Sequence, residues 1–247
     1  MQSKPWSPRQ RTSLERMSFV EPSELRSSSQ LMGVVLVDSM VFLRSKYTYF
    51  NCLQRMVDNI YDVTGVAVSA VARGGASFCG QVTYEEMLVF IHYKYHMEWP
   101  YKFLLVISMG NDIYVKGPDD DGTKKIPYEL ADSAGIGIRD FMWSARNLFD
   151  CIGLVFGGSS DVWQYSGKKG YVYDRLVDEV LKSSIKYGFQ YGLDYVSSGT
   201  SELDTLSKED IVDSIGHIHV LAYPKLETAV VSWIRDLLKQ AVLTSKL

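Results

Sequence analysis

Five places along this 247-residue chain gather side chains able to do chemistry, and four of them directly follow a short apolar run. Asp38 and Ser39 close "LMGVVLVDS". Gly74 and Gly75 close "VAVSAVARGG". Gly110, Asn111 and Asp112 follow "KFLLVISM", and Gly157, Gly158 and Ser159 follow "IGLVF". The fifth place is "DIVDSIGHIHV", which carries Asp213, His217 and His219 ahead of the final amphipathic stretch. A hydroxyl, glycine amides, a carboxamide and an Asp/His pair are the parts of acyl transfer. A serine needs a base to take its proton, and histidine does this near neutral pH. The histidine needs a carboxylate to orient it. The oxyanion that develops on the substrate needs donors, which backbone N–H groups and an Asn side chain supply.

The elements that must position these groups are legible as an alternation. After each apolar run comes a segment with apolar residues at helical spacing: "YTYFNCLQRMVDNIYDVTG", stopped at Gly65, then "TYEEMLVFIHYKYHM", with Thr83 as N-cap ahead of Glu85 and Glu86. "PYELADSAGIGIRDFMWSARNLFDC" reads as mostly helical although its two interior glycines cost about 1 kcal/mol each. "YVYDRLVDEVLKSSIKYGF" and "LETAVVSWIRDLLKQAVL" complete the helices, and "LDYVSSG" reads as a fifth strand. The strand runs are continuously apolar rather than alternating, which points to a parallel sheet covered on both faces. The expected fold class is α/β. Right-handed crossovers and one change of winding direction predict five parallel strands in the order 2-1-3-4-5. In such sheets the carboxyl ends of the strands form the binding crevice.

Residues 1–30 are rich in Ser, Pro, Arg and Gln and poor in aliphatics, and are expected to be a disordered tail or linker ahead of one domain over 31–247. The formal net charge of -3 offers no basic field for nucleic acid. No apolar run is long enough for a membrane span, and the N-terminus lacks the apolar core of a signal peptide. Three widely spaced cysteines, Cys52, Cys79 and Cys151, cannot all pair, which favours a reducing compartment and a cytoplasmic protein. No cofactor is expected, since neither G-x-G-x-x-G after the first strand nor G-x-x-x-x-G-K-[ST] occurs. No metal is expected either. His92 and His96 are four apart on a predicted helix but read as its solvated face, and "GPDDDG" lacks the ligand spacing of a calcium loop.

The ordered series Asp-Ser, Gly, Asn-Asp and Asp…His resembles the four blocks of the SGNH (GDSL-like) hydrolase superfamily, from Leu31 to the end of the chain. The resemblance implies a flavodoxin-like three-layer α/β/α sandwich. It implies that Ser39 is the nucleophile, Asp213 and His217 its orienting acid and base, and that the Ser39 amide, Gly74 or Gly75, and Asn111 form the oxyanion hole. The substrate implied is a small-molecule, carbohydrate or lipid ester. Three places depart from the family pattern. Val37 stands where it has Gly, Met109 stands at the glycine place of the third block, and Asp213 and His217 are four apart rather than three.

Simpler roles compete at each position. Ser39 can cap the following segment, Gly74 and Gly75 can serve a turn that needs a positive φ, and Asn111 can bond loop backbone. Asp112 reads as structural in either case. His219 is an alternative base. The departures also leave open a catalytically inactive member of the fold used for binding or scaffolding. Trp163, Tyr165 and Tyr114 either line a substrate pocket or pack.

Overall fold

In the computed structural model the described residues are 17–23, 31–38, 52–78, 82–95, 101–108, 127–156, 182, 186–187, 195–199, 208–210 and 220–244. Their strands are β1 (Ser18–Val20), β2 (Leu31–Asp38), β3 (Ala67–Arg73), β4 (Ala76–Ser77), β5 (Val82–Thr83), β6 (Tyr101–Ser108), β7 (Phe149–Phe156) and β8 (Tyr195–Gly199). Their helices are α1 (Cys52–Thr64), α2 (Tyr84–Tyr95), α3 (Pro127–Ala145) and α4 (Tyr223–Thr244). Six strands form one sheet in the order β1-β3-β2-β6-β7-β8. The five from β3 to β8 run parallel, and β1 is antiparallel on the outer edge of β3.

The continuous apolar runs have the cause that their pattern suggests. Val34 to Val37 in β2 and Phe103 to Ile107 in β6 are fully buried, as strands covered on both faces must be. The two covers can be told apart by register. Gly33 is the partner of Phe103 and Gly153 of Leu105, and Phe103 and Leu105 are two apart on β6, so all four share a face. A Cβ built on Gly153 would lie 3.0 Å from Leu237 of α4, so that face is the one under α4. Phe19 is the partner of Val71 and meets Phe90 of α2 edge-on, with ring centroids 6.3 Å apart, so the Val71 face lies under α2. Helix pairs follow the same division: α1 packs with α4, and α2 with α3. The arrangement is three layers, helices–sheet–helices. Among the described residues no helix is long and apolar enough to cross a membrane.

Local signals account for the helices. On α1 the buried Leu53, Met56, Val57 and Ile60 form one stripe, and on α4 Leu226, Val230, Ile234 and Leu237 do the same. α1 stops at Gly65, whose φ of 70° only a glycine adopts without strain and whose N–H donates to the Tyr61 carbonyl at 2.8 Å. α2 starts as expected, with the Thr83 hydroxyl accepting from the Glu86 N–H at 3.2 Å.

Three expectations need correction. The sheet is not wholly parallel, because β1 adds an antiparallel strand to it. That strand falls within the stretch 1–30 expected to be a disordered tail. The residues just after β1 are stitched to α1: Gln54 donates to the Glu21 carbonyl at 2.7 Å, and the Ser23 N–H donates to the Asp58 carboxylate at 2.7 Å. The third correction concerns α3, which ends at Ala145. Residues 146–148 turn the chain, with the Leu148 N–H on the Ala145 carbonyl at 2.9 Å, and Phe149 to Cys151 already belong to β7. A helical pattern that runs on into an apolar strand carries no local mark of the join. A small two-stranded parallel ladder, β4 with β5, was not anticipated at all.

One of the two glycines inside α3, Gly137, acquires a reason. A Cβ on Gly137 would collide with the Phe78 carbonyl, whose carbon would be 2.6 Å away. The backbone after β4 therefore lies directly against the helix. Phe78 holds that contact through its ring, 4.8 Å from Tyr84 and 5.6 Å from Phe141 between centroids. In an exposed helix Gly→Ala stabilises by up to about 1 kcal/mol. Here we expect the opposite sign: Gly137→Ala should destabilise by about 2 kcal/mol or more, because backbone cannot rotate out of the way as a side chain can. Urea unfolding of the variant and the parent checks this, and equal or greater stability for Gly137→Ala would refute the close approach.

Candidate active site

The registers bring four neighbouring parallel strands to one level at their carboxyl ends. Asp38 of β2 lies opposite Arg73 of β3, Val37 opposite Ile107, and Ser108 of β6 opposite Phe156 of β7. The residues next in sequence are Ser39, Gly74, Met109 and Gly157. The chain therefore leaves the sheet into the candidate positions from a common rim, where ligands bind in sheets of this kind.

Of the expected site residues, Gly74 and Gly75 lie among those described. They form the exposed turn between β3 and β4, and Gly75 has a φ of 74°. The left-handed backbone there is reason enough for the glycine. Ser39, Asn111, Asp112, Asp213, His217 and His219 lie outside the described residues, as do Gly157, Gly158, Ser159, Tyr114, Trp163 and Tyr165. Val37, at the family's usual glycine place, is fully buried in the core of β2. His92 is exposed on α2.

Two anchors flank the segment that carries Asp213 and His217. Before it, residues 208–210 form a short 3-10 turn. After it, Val220–Ala222 form another that leads into α4. Lys225, in the first turn of α4, donates to Asp210 at 2.8 Å and ties the two sides together. Further along, Glu227 is nearly buried and accepts a hydrogen bond from a terminal nitrogen of the Arg55 guanidinium of α1 at 3.0 Å, with the Arg55 Nε in ion-pair contact at 2.8 Å. A hydrogen bond between ionised groups is shorter and stronger than one between neutral groups. The pair locks the start of α4 to α1.

Sequence reasoning passed over two features. Asp38 is wholly buried, a carboxylate closing a core strand, and Arg73 is its cross-strand partner position. Asp38 stood in plain view as the charged end of an apolar run, but its neighbour could not be named before the β2–β3 register was known. The Asp210–Lys225 tie spans fifteen positions and has no local signature.

No family model matches the chain, and no curated protein matches it. Solved structures do. An acetyl xylan esterase, Est2A, from the rumen bacterium Butyrivibrio proteoclasticus matches with a TM-score of 0.58 at 14% identity, over 88% of this chain and 67% of that one. LAE5, an alpha/beta hydrolase enzyme from the metagenome of Lake Arreo, Spain, matches with a TM-score of 0.53 at 9% identity, over 83% and 94%. A catalytic mutant of Axe2, an acetylxylan esterase from Geobacillus stearothermophilus, matches with a TM-score of 0.52 at 11% identity, over 86% and 96%. At such identities the likeness is one of fold: this chain has an esterase-like α/β fold.

Proposed function

We propose that residues 31–247 form an SGNH-type serine hydrolase that cleaves an ester or thioester, or passes the acyl group to another hydroxyl. Ser39 Oγ attacks the acyl carbonyl while His217 takes its proton, and Asp213 orients the imidazole. The Ser39 amide, a glycine amide from Gly74–Gly75 and the Asn111 carboxamide donate to the oxyanion. His217 returns the proton to the leaving alcohol. Water or an acceptor hydroxyl, deprotonated by His217, then attacks the acyl-enzyme and restores Ser39. The observation that carries this reading is the level rim of β2, β3 and β6, from which the sequence runs straight into Ser39, Gly74 and the segment of Asn111. The solved neighbours support a small carbohydrate ester, such as an acetylated xylose oligomer, as the substrate class.

A second reading, a catalytically inactive binding module, is favoured by Val37 and by the four-residue step from Asp213 to His217. A fluorophosphonate probe with peptide mapping separates the two. Labelling at Ser39 together with release of acetate from acetylated xylo-oligosaccharide supports the enzyme. A folded sample that takes up no probe supports the binding module.

A further inference from the structure

We propose that the candidate site selects esters bearing a negative charge away from the reacting carbonyl, and that cations of residues 1–16 and 39–51 make the selection; the inference rests on Ser39 being the nucleophile. β1 runs antiparallel to β3, with Ser18 partnering Ala72 and Val20 partnering Ala70. Its amino end therefore stands at the carboxyl rim of the sheet, and the segment before it joins the domain there. Met17 is half-buried against the core and fixes that point of entry. The hydrogen bonds of Glu21 and Ser23 to α1 fix the other end of the strand. β3 alone separates β1 from β2. Two strand spacings are about 10 Å, and Arg16 is one Cα step of about 3.8 Å from Met17. The chain carrying Arg16 and the chain carrying Ser39 thus meet the same rim as near neighbours.

The strand order sorts the charges along this rim. Residues 1–16 carry Lys4, Arg9, Arg11 and Arg16 against Glu15. Residues 39–51, which follow β2, carry Arg44 and Lys46 and no carboxylate. At the opposite border, residues 200–219 follow β8 and carry five carboxylates, Asp213 among them, against Lys208. The two borders lie about 24 Å apart, more than two Debye lengths at physiological salt, so neither cancels the other. The whole chain has a net charge of -3 and these two cationic segments together hold +5, which leaves -8 for the remainder. An anion nearing the crevice is repelled by most of the protein and drawn to the β1–β2 side. An acetylated oligosaccharide that bears a uronic acid has the required chemistry: a neutral acetyl group to react and a carboxylate to be held.

The test compares two acetate esters, phenyl acetate and para-acetoxybenzoate, which differ by one carboxylate. Turnover is measured in the full chain for the parent, for Arg16→Gln/Arg44→Gln/Lys46→Gln and for the charge-keeping Arg16→Lys/Arg44→Lys/Lys46→Arg. The quantity read is kcat/KM for para-acetoxybenzoate divided by that for phenyl acetate. We expect this ratio to fall about fivefold or more in the neutralised variant, mostly through KM, since each cation about 10 Å from an anion is worth about twofold even in water. The charge-keeping variant should hold the parent's ratio. Raising salt from about 0.02 M to about 0.5 M should bring the parent's ratio down toward that of the neutralised variant. An unchanged ratio in the neutralised variant overturns the inference. So does an equal loss in the charge-keeping variant, which would make the effect one of packing, and so does an equal rise on both esters, which would mark the segments as a cover. If the neutralised variant does not fold, Arg16→Gln alone and the salt dependence of the parent carry the same comparison. An active parent with a ratio indifferent to charge and salt overturns this inference alone; a parent that cleaves neither ester overturns the serine hydrolase reading and the inference with it.

Discussion

Ser39→Ala should lower turnover of a short-chain aryl acetate by a factor on the order of 10³ or more, with a thermal midpoint close to that of the parent. The size comes from chemistry. Without the hydroxyl no acyl-enzyme forms, and the remaining groups can only polarise the carbonyl for attack by water. The expected stability comes from position. Ser39 is the first residue past the end of β2, where the fully buried core of that strand has already ended at Asp38. Removing one oxygen beyond that point leaves the core strand intact. Turnover that survives the substitution would implicate another nucleophile, and a collapse in midpoint would return Ser39 to the role of a cap.

The base should show nearly as large an effect and should be specific to one histidine. We expect His217→Ala to reduce turnover by about 10³ or more and His219→Ala by less than about tenfold, with Asp213→Ala between them. Asp213 and His217 are one residue further apart than in the family pattern, but Ser214 and Gly216 lie between them and allow the chain to bend. The Asp210–Lys225 tie holds the turn before this segment against the helix after it. In a fully extended segment His217 and His219 would instead project to the same side and compete. Kinetics of the three variants decide the matter: if His219→Ala is the slowest, the block is shifted by two residues and Asp213 loses its role.

The parallel core was legible because its physics is local. A strand covered on both faces must be apolar at every position, and β2, β3, β6 and β7 announce themselves that way. The helices could be read from their stripes and stops, Thr83 and Gly65 among them. The features that escaped depend on partners remote in sequence. β1 is three residues, Ser18–Val20, set among Ser, Pro and Glu, and becomes a strand only because β3 offers it an edge. The end of α3 was overrun because Phe149 to Cys151 suit a helix stripe and a core strand equally well. Gly137 looked like a flaw in a helix until the Phe78 carbonyl was found against it. For the site, residue types and their order could be read along the chain, while the shared level of the strand ends and the adjacency of Asp38 and Arg73 required the register.

The short strand β1 also bears on how the molecule behaves among its own copies. An open sheet border offers a row of amide and carbonyl groups to any passing chain, a template for fibrous self-association. On the β3 side that row is small and apolar at Ala70, Val71 and Ala72, which are the very positions that Val20, Phe19 and Ser18 occupy. A truncation made to discard an apparently dispensable leader would uncover them. β1 is in that sense the selvedge of the sheet, the finished margin that keeps it from unravelling into its neighbours.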